Sequence, residues 1–172
     1  MYITKIEDFG KSKIKIYIDE EYKFWLYKKE LNKFSVNEDN EISLEQFEKL
    51  YLLNLTRAKK QVMNILKRMD KTRHEIIKKL QQAGYIENII IETLEYIDGY
   101  KYIDDERYAR QYVRYKRDSK SKREIQNALL LKGVSKEIIS QALLDEYESE
   151  DTAIIKAINK KKKIHLMGTY FY

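Results

Sequence analysis

The side chains best placed to do chemistry lie between Arg107 and Arg123. Arg107, Arg110, Arg114, Lys116, Arg117, Lys120, Lys122 and Arg123 are opposed there by Asp118 alone. On a helix opened by Asp104 or Asp105, the four positions Arg107, Arg110, Arg114 and Arg117 share one stripe, because residues three and four apart are neighbours on a helical surface. Tyr108, Ala109, Tyr112, Val113 and Tyr115 occupy the adjacent arc and would anchor the helix while the arginines point outward. A guanidinium presents paired N–H groups to phosphate or carboxylate oxygens alike, so the stripe predicts a polyanion-binding face. The competing reading is an ordinary solvated face. Such faces usually mix signs, and this one scarcely does. Lys67, Arg68, Lys71 and Arg73 recur at related places upstream and would extend the strip, unless repeat symmetry alone copied them.

Other chemistries find little support. There is no cysteine, hence no thiolate nucleophile, disulfide or cysteine metal site. His74 and His165 have no partner at ligand spacing, and Asp104-Asp105-Glu106 reads as a helix cap and dipole partner rather than a metal cluster. No phosphate-cradling glycine loop or nucleophile elbow is present. The tyrosines could stack bases, but their spacing matches a buried helix side. Lys160–Lys163 reads as a solvated helix end. These residues predict a protein that binds and is not an enzyme, with neither cofactor nor metal.

The 172 residues carry a net charge of +6, unevenly spread. Residues 1–50 sum to −2, residues 51–133 to +8 and residues 134–172 to zero. Concentrated positive charge favours a polyanionic partner. No apolar run has the length of a bilayer span, and the first residues lack the apolar core of a signal peptide, so a cytoplasmic protein without a membrane partner is expected.

The elements that must position these residues are mostly helices. Lys13–Ile18 alternates isoleucine with mostly polar residues, a strand period. Asp19-Glu20-Glu21 then turns the chain into a partner strand at Tyr22–Tyr27, and Ile3–Ile6 can add a third. From Ser43, whose spacing to Gln46 forms a capping box, a long helix is predicted to about Met69, with a break near Asn54. Shifted by 49 residues, Leu66–Leu94 then overlies Tyr115–Leu143 without a gap, with ten identities in 29 positions. Average composition would give about two. Both copies open with a capping box (Thr72 to Glu75, Ser121 to Glu124) and carry a glycine at the predicted helix end (Gly84, Gly133). Ser135 then caps another helix. The fold class predicted is mainly α: tandem three-helix repeats, elongated and curved, behind a small N-terminal β-hairpin or sheet. The segments are 1–42 for the sheet, 43–99 for the first repeat with its lead-in helix, 100–148 for the second, and 149–172 for a third that begins at Ala153–Ile158 and is cut short.

Tyr102-Ile103-Asp104-Asp105-Glu106-Arg107-Tyr108-Ala109-Arg110-Gln111-Tyr112-Val113-Arg114, followed by Arg123-Glu124-Ile125, Leu129 and Leu131-Lys132-Gly133-Val134, resembles the RecX family of RecA regulators. Ile3-Thr4-Lys5-Ile6-Glu7 and the hairpin at Asp19–Tyr22 resemble its Gram-positive members, and the similarity runs over about residues 3–163. The chain departs at Asp118–Lys122, where the family usually has a glycine-rich turn. The resemblance implies tandem three-helix repeats, no active site, and binding in the groove of RecA–single-stranded-DNA filaments, where the family inhibits recombination and ATPase activity; a monomer is expected. The alternative that composition leaves open is a sequence-tolerant DNA-binding helical protein, a transcriptional regulator or nucleoid-associated factor, acting without RecA.

Overall fold

The computed structural model describes residues 1–147 of the chain. They divide into two compact units, meeting in sequence at Ile103 and Asp104. The predicted third repeat and Lys160–Lys163 lie outside the described residues.

The first unit opens with an antiparallel sheet of β1 (Ile3–Phe9), β2 (Lys13–Ile18) and β3 (Glu21–Tyr27), in that order. Alternation decides which side is buried: Ile14, Ile16 and Ile18 point one way and join Ile3, Phe24, Leu26, Val36, Ile42 and Leu50 in a core. On β3 the burial is continuous through Phe24, Trp25 and Leu26, so both faces are covered there. Trp25 faces the other way, into a second core built from α2 (Leu44–Leu66), α3 (Arg73–Gln82) and α4 (Glu87–Gly99). A lone hairpin would be marginal, whereas this sheet has a third strand and packs on helices from both sides of β3. A short helix, α1 (Leu31–Phe34), leads from the sheet toward α2.

The β2–β3 turn is made by Asp19 and Glu20, both at positive φ (48° and 67°), which is the backbone a two-residue hairpin requires. A Cβ in that region costs roughly 1–2 kcal/mol, partly offset by the smaller chain entropy of a non-glycine residue. Glu20→Gly is therefore expected to raise stability by about 0.5–1 kcal/mol, read as a higher urea midpoint at unchanged slope.

Helix α2 corrects two expectations. It runs unbroken through Asn54, whose side-chain amide donates to the Leu50 carbonyl at 3.0 Å and so serves the helix one turn back. Its start is only half a capping box: Ser43 accepts from the Gln46 N–H at 3.2 Å, but the Gln46 side chain donates instead to the Phe34 carbonyl. The later boxes are complete at both Thr72/Glu75 and Ser121/Glu124.

The second unit holds α5 (Asp105–Lys116), α6 (Lys122–Leu131) and a further helix, α7, over residues 136–147. Ala109, Val113, Ile125, Leu129, Val134, Ile139 and Ala142 form its core. The repeat is visible in matching stops. Gly84 and Gly133 have φ of 88° and 76°, and each is followed by a bond closing the preceding helix, Tyr85 N–H to Leu80 O and Val134 N–H to Leu129 O, both 3.1 Å. Ile76, Leu80 and Ile90 recur 49 residues on as Ile125, Leu129 and Ile139, all buried. The first helices keep a different step. Ala58 and Val62 of α2 correspond in burial to Ala109 and Val113 of α5, a spacing of 51. The gapless register expected from Leu66 onward thus holds for the second and third helices of each repeat, while the first helices, which lie before it, are buried on a spacing two residues longer.

Candidate polyanion-binding surfaces

The arginine stripe of α5 is where the structure departs most from expectation. Its sign was judged from the helix alone, but α7 brings acids back against it. Glu146, only 4% exposed, accepts from Arg114 Nε at 2.9 Å and Nη2 at 2.8 Å, and its backbone carbonyl accepts from Arg117 Nη1 at 3.0 Å. Hydrogen bonding to Glu146 and its charge together raise the Arg114 pKa. Arg110 lies 3.9 Å from Glu106 and 3.8 Å from Asp145, in a cleft of about 290 Å³ that Glu137 also lines. The outward, one-signed ridge is therefore corrected: Arg110, Arg114 and Arg117 join α5 to α7. Arg107 is exposed, and its backbone N–H is held by the Asp104 cap at 2.8 Å.

Beyond α5 the chain turns, and the positive charge does face solvent. Lys120, Lys122 and Arg123 are exposed, and among the described residues no carboxylate lies within ion-pair distance of them or of Lys116. Lys122 Nζ sits 4.1 Å above the Tyr147 ring, and Lys116 Nζ 4.6 Å above Tyr115. The tyrosines separate by position. Tyr108 and Tyr112 stack at 6.3 Å and pack on the core, whereas Tyr115 is 78% exposed and anchors nothing.

In the first unit, β2, β3, α2 and α3 together enclose an open groove of about 820 Å³. Its cations are Lys13, Arg57, Lys60, Arg68, Lys71 and Lys79, and among the described residues no carboxylate lines it. Trp25, Tyr27 and Tyr85 supply aromatic surface. Lys13 Nζ lies 3.8 Å over the Trp25 ring, and the Arg57 guanidinium lies 5.2 Å from that ring and 5.1 Å from Tyr27. Burial, with the Arg57 charge beside it, lowers the Lys13 pKa, and burial pushes the Tyr85 hydroxyl up to about 12. Two of the six cations are already engaged, Arg57 by Glu30 and Lys71 by Glu75 at 3.3 Å.

A relative from Caldanaerobacter subterraneus subsp. tengcongensis, named regulatory protein RecX, is 34% identical over 96% of this chain and 86% of its own length. The chain belongs to the RecX family. The regulatory protein RecX of Clostridium beijerinckii is 29% identical over 93% of the chain and 76% of its own length. The profile of the RecX second three-helix domain matches residues 104–143, which are α5, α6 and the larger part of α7. A crystal structure of a regulatory protein RecX aligns with a TM-score of 0.54 at 24% identity, over 94% of this chain and 84% of that one. RecX from Lactobacillus salivarius aligns at 0.51 and 25%, over 63% and 75%. The mainly helical fold with its small N-terminal sheet is thus a RecX fold, and relatives of this chain are regulatory proteins by name. Among the described residues no helix is long and apolar enough to cross a membrane.

On this RecX chain the residues predicted from the first repeat are dispersed. Arg68 and Lys71 line the groove, Lys67 caps the end of α2, and both Arg73–Asp98 oxygens sit at 2.8 Å from Arg73 Nη1. Two of the four keep their places in the repeat, since Lys71 and Arg73 flank the Thr72 cap as Lys120 and Lys122 flank Ser121, whereas Lys67 is the C-cap of α2 where Arg117, not Lys116, is that of α5. Lys13, Arg57, Lys60 and Lys79 were missed. No spacing rule connects a strand residue to positions 44, 47 and 66 residues later. The only available signal was the concentration of positive charge after residue 50.

Proposed function

We propose that this chain regulates a RecA recombinase by binding RecA filaments on single-stranded DNA and slowing their ATP hydrolysis and strand exchange. Membership of the RecX family supports the partner. The observation that carries the mechanism is the cationic turn at Lys116, Lys120, Lys122 and Arg123, which has no carboxylate within ion-pair distance among the described residues. Binding through it requires no bond making in the RecX chain. It needs only that opposite charge on the filament, protein carboxylate or DNA phosphate, meet ammonium and guanidinium groups that are in no ion pair among the described residues.

The test uses the chain with Lys120→Glu, Lys122→Glu and Arg123→Glu together. Half-inhibition of RecA ATPase on single-stranded DNA is expected to need roughly tenfold more protein or greater, with unchanged helical circular dichroism. Arg110 and Arg114 are unsuited to this experiment, since reversing them breaks contacts inside the second unit. Undiminished inhibition by the folded triple variant, or inhibition by neither form, would remove the proposal. Inhibition is also expected to weaken as salt rises from 50 to 200 mM, because exposed charges are screened.

A further inference from the structure

The groove of the first unit has a composition that the RecA reading does not use. Four of its cations, Lys13, Lys60, Arg68 and Lys79, have no acid within ion-pair distance among the described residues. Six positive side chains around one recess repel each other, an arrangement that an anion relieves. A second observation concerns hydrogen bonds. The indole N–H of Trp25 and Nη1 of Arg57 are both buried and have no hydrogen-bond partner among the described residues, and both residues line the groove. Buried donors are nearly always satisfied, so two unsatisfied ones beneath the same cationic recess add to its uncompensated positive character. The lowered pKa of Lys13 fits the same crowding of positive charge.

We propose that this groove binds the sugar–phosphate backbone of a single-stranded nucleic acid, through phosphates and without base stacking. Stacking is disfavoured because the indole is 2% exposed and carries Lys13 on its face. Tyr85 is 6% exposed. Phosphate oxygens suit the ammonium and guanidinium groups around the recess, and Gln61, Asn64 and Gln82 on the walls can donate to sugar and phosphate oxygens as well. A single strand bends a phosphate into a recess, whereas a duplex holds its phosphates on a stiff cylinder. Recognition of this kind is indifferent to sequence. The site needs no RecA, so its failure leaves the filament reading untouched, and the reverse holds too.

Trp25 is the only tryptophan, which makes its emission a reporter inside the groove. Titrating the full chain with a 15-residue oligothymidylate, without RecA, is expected to change that emission. An oligodeoxyadenylate of equal length should do so within about threefold in Kd. With four uncommitted cations, log K should fall with log salt at a slope of about −3. Lys60→Glu with Lys79→Glu is expected to raise Kd at least tenfold and bring the slope to about −1.5. Lys49→Glu with Lys78→Glu, exposed positions outside the groove carrying the same charge change, should shift Kd under threefold. Tighter titration by ATP, by oligoglutamate or by duplex DNA would overturn the assignment in favour of that ligand. So would an unchanged Trp25 emission, or equal losses in the two charge-reversed pairs.

Discussion

Arg114→Glu is expected to loosen the second unit while leaving the first intact. Glu146 is a carboxylate almost fully removed from water, and a buried charge is tolerated only when it is paired and hydrogen-bonded. Two of its bonds come from one guanidinium, in the two-pronged geometry that makes arginine–carboxylate pairs strong. Reversal replaces those donors with a second carboxylate and leaves like charges facing each other across α5 and α7. Hydrogen exchange of α5, α6 and α7 amides should accelerate roughly tenfold or more, while amides of the sheet and α4 keep their wild-type rates. Arg114→Lys, which retains charge but loses the fork, should fall between. Glu146→Gln added to Arg114→Glu should recover much of the protection, because the facing charge is gone. Wild-type exchange in Arg114→Glu would show that the ion pair holds nothing together.

Gly84→Ala is expected to cost about 2–4 kcal/mol, against about 1 kcal/mol for Gly10→Ala, in urea unfolding followed by circular dichroism. Both glycines have positive φ, 88° and 75°, so both substitutions meet the left-handed backbone penalty. They differ in what surrounds the new methyl group. At Gly10 nothing lies within 4 Å, whereas at Gly84 the methyl would stand 2.6 Å from Phe9 Cε1 and 2.9 Å from Cζ. Phe9 packs on the core that includes Trp25 and has Lys15 5.2 Å above its ring, so moving the ring gives up contacts. The Gly84 carbonyl also accepts from the Tyr22 hydroxyl, whose pKa burial raises. One residue thus ends α3 and receives both β1 and β3. Equal costs at the two glycines would show that the Phe9 approach is not a real constraint.

Much of this architecture could be read along the chain because its signals are local. Period-two isoleucines wrote β2, and Thr72/Glu75 and Ser121/Glu124 marked where α3 and α6 begin, since a cap needs only the next turn of backbone. Gly84 and Gly133 marked the ends for the same reason. The break expected at Asn54 failed because its amide satisfies a carbonyl of its own helix, a choice that burial against the core makes and propensity does not. The half-formed box at Ser43 failed because Phe34, distant by position but near in space, offered Gln46 a carbonyl.

Charge is where sequence and structure divide. The chain by itself determined that its positive residues concentrate between 51 and 133 and recur with a helical repeat, because composition and periodicity need no partner. It could not determine which cations remain available. Glu146 stands 32 residues beyond Arg114, and Lys13 stands 66 before Lys79. Only packing α7 on α5 neutralised the first, and only laying the sheet against α2 and α3 gathered the second into a groove that no carboxylate among the described residues lines. Electrostatic energy depends on distance through space, and the fold sets that distance.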